Sequence, residues 1–364
     1  MELSSDEESD SSPRRRGFAP RLGMDACVSP MPKVELVDAC VSPFPADELA
    51  DASVSACSLP QSDQPLPQAD QTPPQADQPP PCPYYNCQAK TADFGLFKVV
   101  KTLGQGGFGK VDQVETLDGS MYAVKSMNPR DRYDHIPHVV NALVNELRVS
   151  NFMNHPNVLK AVGWRWDDAA NLCIVYPLYA GSLRMMHKDL GLEQVLAVLV
   201  GASRGLSYAH CLGYVHLDIK PDNILIDRGS GGCTGVLGDW GLAHWIRKKI
   251  VVGHTYGTEG YRPPEYKMHN KMQSSAGDVY AMAVSIVEVL ANRNPGKVSL
   301  PHGEPPHVND LHSWIKKGRG KDLEPAWSLR LAQTVHKCLM CERRNRGDME
   351  FLLTGLEEAW NSLI

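Results

Sequence analysis

"GYVHLDIKPDNIL" (213–225) gathers Asp218, Lys220 and Asn223 into a short loop between apolar flanks. The trio offers a carboxylate base, a cation for phosphate and an oxygen ligand for a metal ion. Upstream, "LGQGGFGKV" runs from Leu103 through Gly104, Gln105, Gly106, Gly107, Phe108, Gly109 and Lys110 to Val111. The spacing G-x-G-x-x-G also fits a dinucleotide-binding turn, but such a turn opens a helix. Here "FGKVDQVE" continues as a strand, so the glycines form a hairpin over a ligand and let backbone N–H groups approach phosphates. "YAVK" (122–125) puts Lys125 on the next strand. A buried Lys needs an anionic partner, and Glu146 in "VNEL" on the following helix supplies it.

Outward from these motifs, folded structure is expected from about Phe94. "FKVVKTL" and "GKVDQVE" alternate like strands, "MYAVKSM" reads as a third strand, and "HVVNALVNELRVSNFM" has helical apolar spacing. After about residue 183 the pattern is mainly helical, as in "LEQVLAVLVGASRGLSYAH", "GDVYAMAVSIVEVL" and "WSLRLAQTVHKCLM". Strands first and helices later predict an α+β arrangement in two lobes.

The segment from about residue 94 to residue 364 resembles a eukaryotic-type protein kinase catalytic domain of the Ser/Thr type. The motifs stand in that family's order: "GQGGFG", "AVK", Glu146, "HLDIKPDN", "DWG" and "PPE". The resemblance implies a small, mainly-β N-lobe over 94–178 and a larger helical C-lobe over 179–364. It implies ATP and Mg2+ as cofactors and protein Ser/Thr hydroxyls as substrates. By the same resemblance, residues 103–111 cover ATP, and Lys125 holds its α/β-phosphates while paired with Glu146. Asp218 accepts the substrate proton, Lys220 contacts the transferring phosphate, and Asn223 and Asp239 bind the metal ions. Val111, Ala123 and Leu225 sandwich the adenine, which bonds to backbone near Tyr176 and Leu178, with Val175 controlling the depth of the pocket. "DFG" at 93–95 is a decoy, because a metal ligand must follow the catalytic loop.

Scaffold roles are expected as well. Glu265 is expected to pair with Arg346, Asp278 to bond the catalytic-loop backbone, and Thr258 to bond near Asp218. His155 reads as a turn residue, and Asp222 as either a solvated loop carboxylate or an anion that attracts a basic substrate residue. Two positions depart from the family pattern. Trp240 stands where Phe is usual, and Ser150 is expected to leave room for its ring. Leu217 stands where an Arg usually meets an activation-segment phosphate, and the frequent phosphate position is His254. Apolar packing of Leu217 with Ile250, Val251 and Val252 is expected to replace that switch, with Thr255 and Tyr256 as offset candidates beside Arg247, Lys248 and Lys249. The rival reading is a pseudokinase scaffold. Its usual signature is loss of the ATP Lys, the base or the metal Asp, and Lys125, Asp218 and Asp239 are all present.

Residues 1–93 are rich in Pro, Ser, Asp and Gln and read as a disordered tail that cannot bury enough surface to offset ordering entropy. They hold 15 acidic against 6 basic side chains, and the remaining residues 27 against 31. That mild positive balance suits a phosphate-rich ligand and is too weak to argue for nucleic acid. "DACVSPMP" returns as "DACVSPFP" and "QADQTPP" as "QADQPPP". The second pair favours an extended polyproline-like chain, either a linker or a docking site for partners. Ser12, Ser29 and Ser42 precede Pro and are candidate phosphorylation sites. Of the ten Cys, only Cys82/Cys87 and Cys338/Cys341 are closely spaced, short of the four paired ligands of a zinc site. The start "MELSSDEESD" lacks the basic and apolar pattern of a signal peptide, and no run is long enough to span a membrane. The expectation is an intracellular protein, cytoplasmic or nuclear, that is not secreted.

Overall fold

The computed structural model describes residues 97–106, 109–126, 136–167, 171–229, 232–246, 250–251, 256–267, 272–298, 304–319, 321 and 323–364. The tail, the boundary at Phe94, Gly107, Phe108, Arg247–Lys249, Val252, His254 and Thr255 lie outside the described residues, as do the side chains of Ile250 and Val251.

The N-terminal part is one five-stranded antiparallel sheet with a helix. Its strands are β1 (Phe97–Gly106), β2 (Gly109–Thr116), β3 (Met121–Ser126), β4 (Gly163–Trp166) and β5 (Leu172–Pro177), in the order β1-β2-β3-β5-β4. Helix α1 (Ile136–Phe152) lies between β3 and β4 in sequence. Side chains on a strand alternate between faces, and the register sorts them. Val111 pairs with Lys125, Ala123 with Tyr176 and Lys125 with Ile174, so these five residues share one face. Val114, Val124, Cys173 and Val175 form a separate apolar cluster on the other face.

Helices dominate the C-terminal part: α2 (Leu183–Met186), α3 (Leu192–Cys211), α4 (Ser275–Ala291), α5 (Val308–Lys317), α6 (Pro325–Cys338) and α7 (Met349–Asn361). Short antiparallel pairs stand between α3 and α4. They are β6 (Tyr214–Val215) with β9 (His244–Trp245), β7 (Ile224–Gly229) with β8 (Gly232–Leu237), and β10 (Ile250–Val251) with β11 (Met272–Gln273). Helix α4 is apolar on nearly every side and almost wholly buried, as a helix in the centre of a domain must be. It anchors the largest apolar core, which also takes Ile219, Ile224, Trp240, Val149 from α1 and Met153 just after it. The described residues thus form the expected mainly-β sheet followed by a helical part. Among them, no helix is long and apolar enough to cross a membrane.

Candidate active site

The loop between β6 and β7 carries Asp218, Lys220 and Asn223. Asp278, only 1% exposed on α4, accepts hydrogen bonds from His216 N at 2.8 Å and Leu217 N at 2.9 Å. His216 Nε2 lies 2.9 Å from Gly238 O, while its Nδ1 accepts from Asp218 N at 3.2 Å, which fixes the tautomer with the proton on Nε2. The Asp218 carboxylate is then bound on both oxygens. Thr258 donates from its N–H at 2.8 Å and its hydroxyl at 2.7 Å to Oδ1. Lys220 Nζ donates to Oδ2 at 2.6 Å and to Thr258 Oγ1 at 2.7 Å. Asn223 Nδ2 donates to the Asp218 carbonyl at 2.7 Å. The expected bonds of Asp278 and Thr258 are therefore present.

A second cluster gathers from the sheet, α1 and the turn after β8. Lys125 Nζ donates to Glu146 Oε2 at 2.5 Å and to Asp239 Oδ1 at 2.7 Å. Burial pushes the Glu146 carboxyl above its ordinary range, against the pull of the Lys125 charge. Burial also acts upward on Asp239, but the ammonium of Lys125, with His216 and Lys220, more than offsets it and holds that carboxyl low. Burial acts to lower the Lys125 ammonium, and the two carboxylates outweigh it and raise it. Asp239 adopts a left-handed backbone, φ 60° and ψ 61°, which costs a non-glycine residue about 1–2 kcal/mol. The two clusters meet where Gly238 N donates to Asn223 O at 2.9 Å.

Tyr176 corrects the expectation for Val175. The Tyr176 hydroxyl donates to Glu146 Oε1 at 2.9 Å, and its ring sits in the cluster with Ile174, Leu159 and Val236. Tyr176 therefore fills the depth of the cleft beside Lys125, whereas Val175 belongs to the cluster on the opposite face of the sheet. A one-residue shift in register moves a side chain to the other face, and that parity was not visible in "CIVYPLYAGSL". Ala123 and Leu225 pack against the Tyr176 cluster, and Val111 shares their face, so the predicted sandwich residues come together. Leu178 follows β5 and Leu103 sits at a bulge of β1. Gly104 and Gly106 have open space where a Cβ would stand, which leaves room for a ligand against the backbone. Gln105 pairs across the hairpin with Lys110, whose ammonium is paired with Asp112 at 2.8 Å.

Other expectations resolve individually. Arg346 donates to Glu265 through two nitrogens, at 2.8 and 2.9 Å. His155 Nδ1 accepts from Asn157 N at 3.1 Å within its own turn. Asp222 is not simply solvated, because Arg184 donates to it at 3.1 Å and also binds Glu288 and Tyr261. Trp240 is fully buried, and its Nε1–H donates to Leu237 O at 2.9 Å. Ser150 has a hydrogen-bonding role: its hydroxyl donates to Leu159 O at 3.0 Å and accepts from Ala161 N at 2.7 Å, joining α1 to the chain before β4. Arg262 went unnoticed in the sequence, and it donates through two nitrogens to Gly257 O. Its only signal there was a basic side chain between Tyr261 and Pro263.

A mainly-β lobe holding the Lys125–Glu146 pair and a helical lobe holding the Asp218, Lys220 and Asn223 loop define the protein-kinase class of fold. The protein kinase domain model matches residues 97–353, and the chain belongs to that family. The probable serine/threonine-protein kinase PBL22 of Arabidopsis thaliana is 28% identical over 221 residues, 57% of this chain and 56% of its own length. The probable serine/threonine-protein kinase PBL21 of the same plant is 29% identical over 233 residues, 60% of this chain and 58% of its own length. The rhodopsin kinase GRK7 of Sus scrofa is 32% identical over 208 residues, 55% of this chain and 36% of its own length. The matched stretch is little more than half the length of the first two relatives and about a third of the last.

Proposed function

We propose that the chain is an active serine/threonine protein kinase that transfers the γ-phosphate of ATP to hydroxyls of protein substrates. The carrying observation is Asp218, its carboxylate held by Thr258 and Lys220 and its carbonyl by Asn223, next to the turn on which Lys125 meets Asp239. In this reading Lys125, fixed by Glu146, orients the ATP phosphates. Asp218 accepts the proton of the substrate hydroxyl as its oxygen bonds to the γ-phosphorus and the bond to the bridging oxygen breaks, releasing ADP. Lys220, next to the base, supplies positive charge for the phosphoryl group in transit.

The donor set fits Mg2+, which takes hard oxygen ligands from one or two side chains and completes its shell with phosphate and water. Asn223 spends its Nδ2 on Asp218, leaving its amide oxygen for a cation, and the Asp239 side chain is 27% exposed. Bound there, the metal would neutralise phosphate charge.

Activity without a phosphorylated activation segment is part of the proposal. Buried Leu217 has a left-handed backbone, φ 70°. Gly257 has φ 84°, and a Cβ on it would stand 2.5 Å from Leu217 O. With Gly257 O taken by Arg262 and Glu265 by Arg346, residues 257–265 are braced without a phosphate. Transfer of labelled phosphate to Ser, Thr and Tyr peptides tests both parts. Asp218→Asn should lower transfer to Ser and Thr by about 10²–10⁴-fold, and phosphatase treatment of the wild type should leave its rate unchanged. Undiminished transfer in Asp218→Asn would overturn the kinase reading. A large fall on phosphatase treatment would overturn the second part alone.

A further inference from the structure

The turn that carries Asp239 is held by a residue that belongs to none of the motifs. Asn145 lies in the middle of α1, where asparagine is a poor helix former because its amide competes with the backbone. Its side chain reaches to the neighbouring turn. Nδ2 donates to Ala243 O at 2.8 Å and Gly241 O at 3.0 Å, with Trp240 O further off at 3.4 Å. Trp240 O already accepts from Ala243 N at 3.0 Å, so the two amide protons of Asn145 serve Gly241 and Ala243. One turn back on α1, Ala142 closes the same contact, since a Cβ on Gly241 would stand 3.2 Å from Ala142 O and 3.3 Å from its Cβ. One position on, Glu146 holds the Lys125 that binds Asp239. Residues three and four apart share a helix face, so Ala142, Asn145 and Glu146 act on residues 239–243 together.

We propose that Asn145 is a positioning residue: its amide clamps the carbonyls that follow Asp239 and keeps that carboxylate in the left-handed turn where it meets Lys125. The ion pair alone does not do this. It grips one oxygen of the carboxylate and leaves the backbone of 240–243 free to relax from the disfavoured conformation at Asp239. With the clamp, the placement of α1 and the placement of the Asp239 turn become one event.

The functional meaning rests on the kinase reading of Asp239, but the decisive measurement needs no turnover. Hydrogen–deuterium exchange is followed on the full chain without nucleotide, for wild type, Asn145→Ala and Asn145→Asp. Amides across 239–245 should exchange about tenfold faster or more in both variants, with α3 and α4 unchanged. Asp should act at least as strongly as Ala, because it keeps the volume but sets carboxylate oxygens against carbonyls. In peptide phosphorylation, kcat should fall about tenfold with KM for the peptide within about twofold. Unchanged protection of 239–245 in Asn145→Asp overturns the clamp, and so does acceleration spread evenly through α3 and α4, the mark of lost stability alone. Should Asn145→Ala not fold, the Asp variant decides on the same readings. An inactive enzyme with the predicted local exchange would instead count against the kinase reading and leave the clamp standing.

Discussion

Asp218 and Lys125, the proposed base and the proposed phosphate-binding lysine, sit on two different kinds of foundation. Asp218 belongs to a loop in which His216, Lys220 and Asn223 are near neighbours in sequence, and that loop hangs from Asp278 on a helix in the largest core. Lys125 meets its partners across four elements: β3, α1, β5 and the turn after β8. Two smaller apolar clusters back the sheet side of that meeting, while α1 and the turn reach the largest core through Val149 and Trp240. The first site is local and rests on packing, and the second is long-range and rests on charge. A break in the first should cost the fold and the chemistry together, whereas a break in the second should cost the chemistry first.

Asp278→Ala should have the largest effect. It strips the acceptor from His216 N and Leu217 N, and from His210 Nε2 at 2.9 Å, all in a buried setting. Each buried donor left unsatisfied costs about 1–3 kcal/mol, together a fall in Tm on the order of 10 °C for a domain of this size. Thermal unfolding and turnover should fall together, and a variant with wild-type Tm would erase the contrast between the two sites.

Lys125→Met should come next, and its main loss should be in transfer, by about 10²-fold or more. Its stability should acquire a pH signature. Without the ammonium, Glu146 and Asp239 face each other in a buried site, and both folded-state values move up. Groups raised above their unfolded values hold protons that the unfolded chain releases, so stability rises as pH falls through the raised values. In the wild type, burial already raises Glu146 but Lys125 keeps Asp239 low, so that gain should be weaker. Tm measured at pH 8 and pH 6 tests this, and identical slopes for the two proteins would show that the carboxylates are not coupled through Lys125.

How far the sequence could be read follows the same division. The loop at 216–223 was legible because its chemistry is contiguous, and motif order was enough to bring Lys125, Glu146 and Asp239 together. What stayed hidden depends on facing and reach. Tyr176 and Val175 are neighbours in an apolar run, and only strand register decides which one enters the cleft. Asn145 reads as one more polar residue on a helix until the carbonyls of 241 and 243 are seen beside it. Trp240 looked like a problem of volume, and the structure shows that its indole N–H also finds a carbonyl. The left-handed backbone of Leu217 carries no sequence signal, since leucine is not a residue that favours it.

Tyr176→Phe is the smallest and sharpest test. It keeps the ring in the cleft and removes one hydroxyl, so packing is nearly unchanged. Glu146 then loses the donor to Oε1 while Lys125 still holds Oε2. A hydrogen bond of this kind contributes about 1–2 kcal/mol, so Tm should fall by only a few degrees. The hydroxyl also helps to hold the Glu146 carboxyl down against the upward push of burial. Without it, Glu146 takes up a proton at higher pH, and a neutral Glu146 no longer fixes the Lys125 ammonium. The acid limb of the turnover profile should therefore move to higher pH in Tyr176→Phe, with rates near wild type on the alkaline side. Val175→Ala, on the opposite face, should lose some stability through its cavity without moving that limb. If both variants left the acid limb in place, the Tyr176 hydroxyl would be a packing detail, and charge alone would account for the Lys125 cluster.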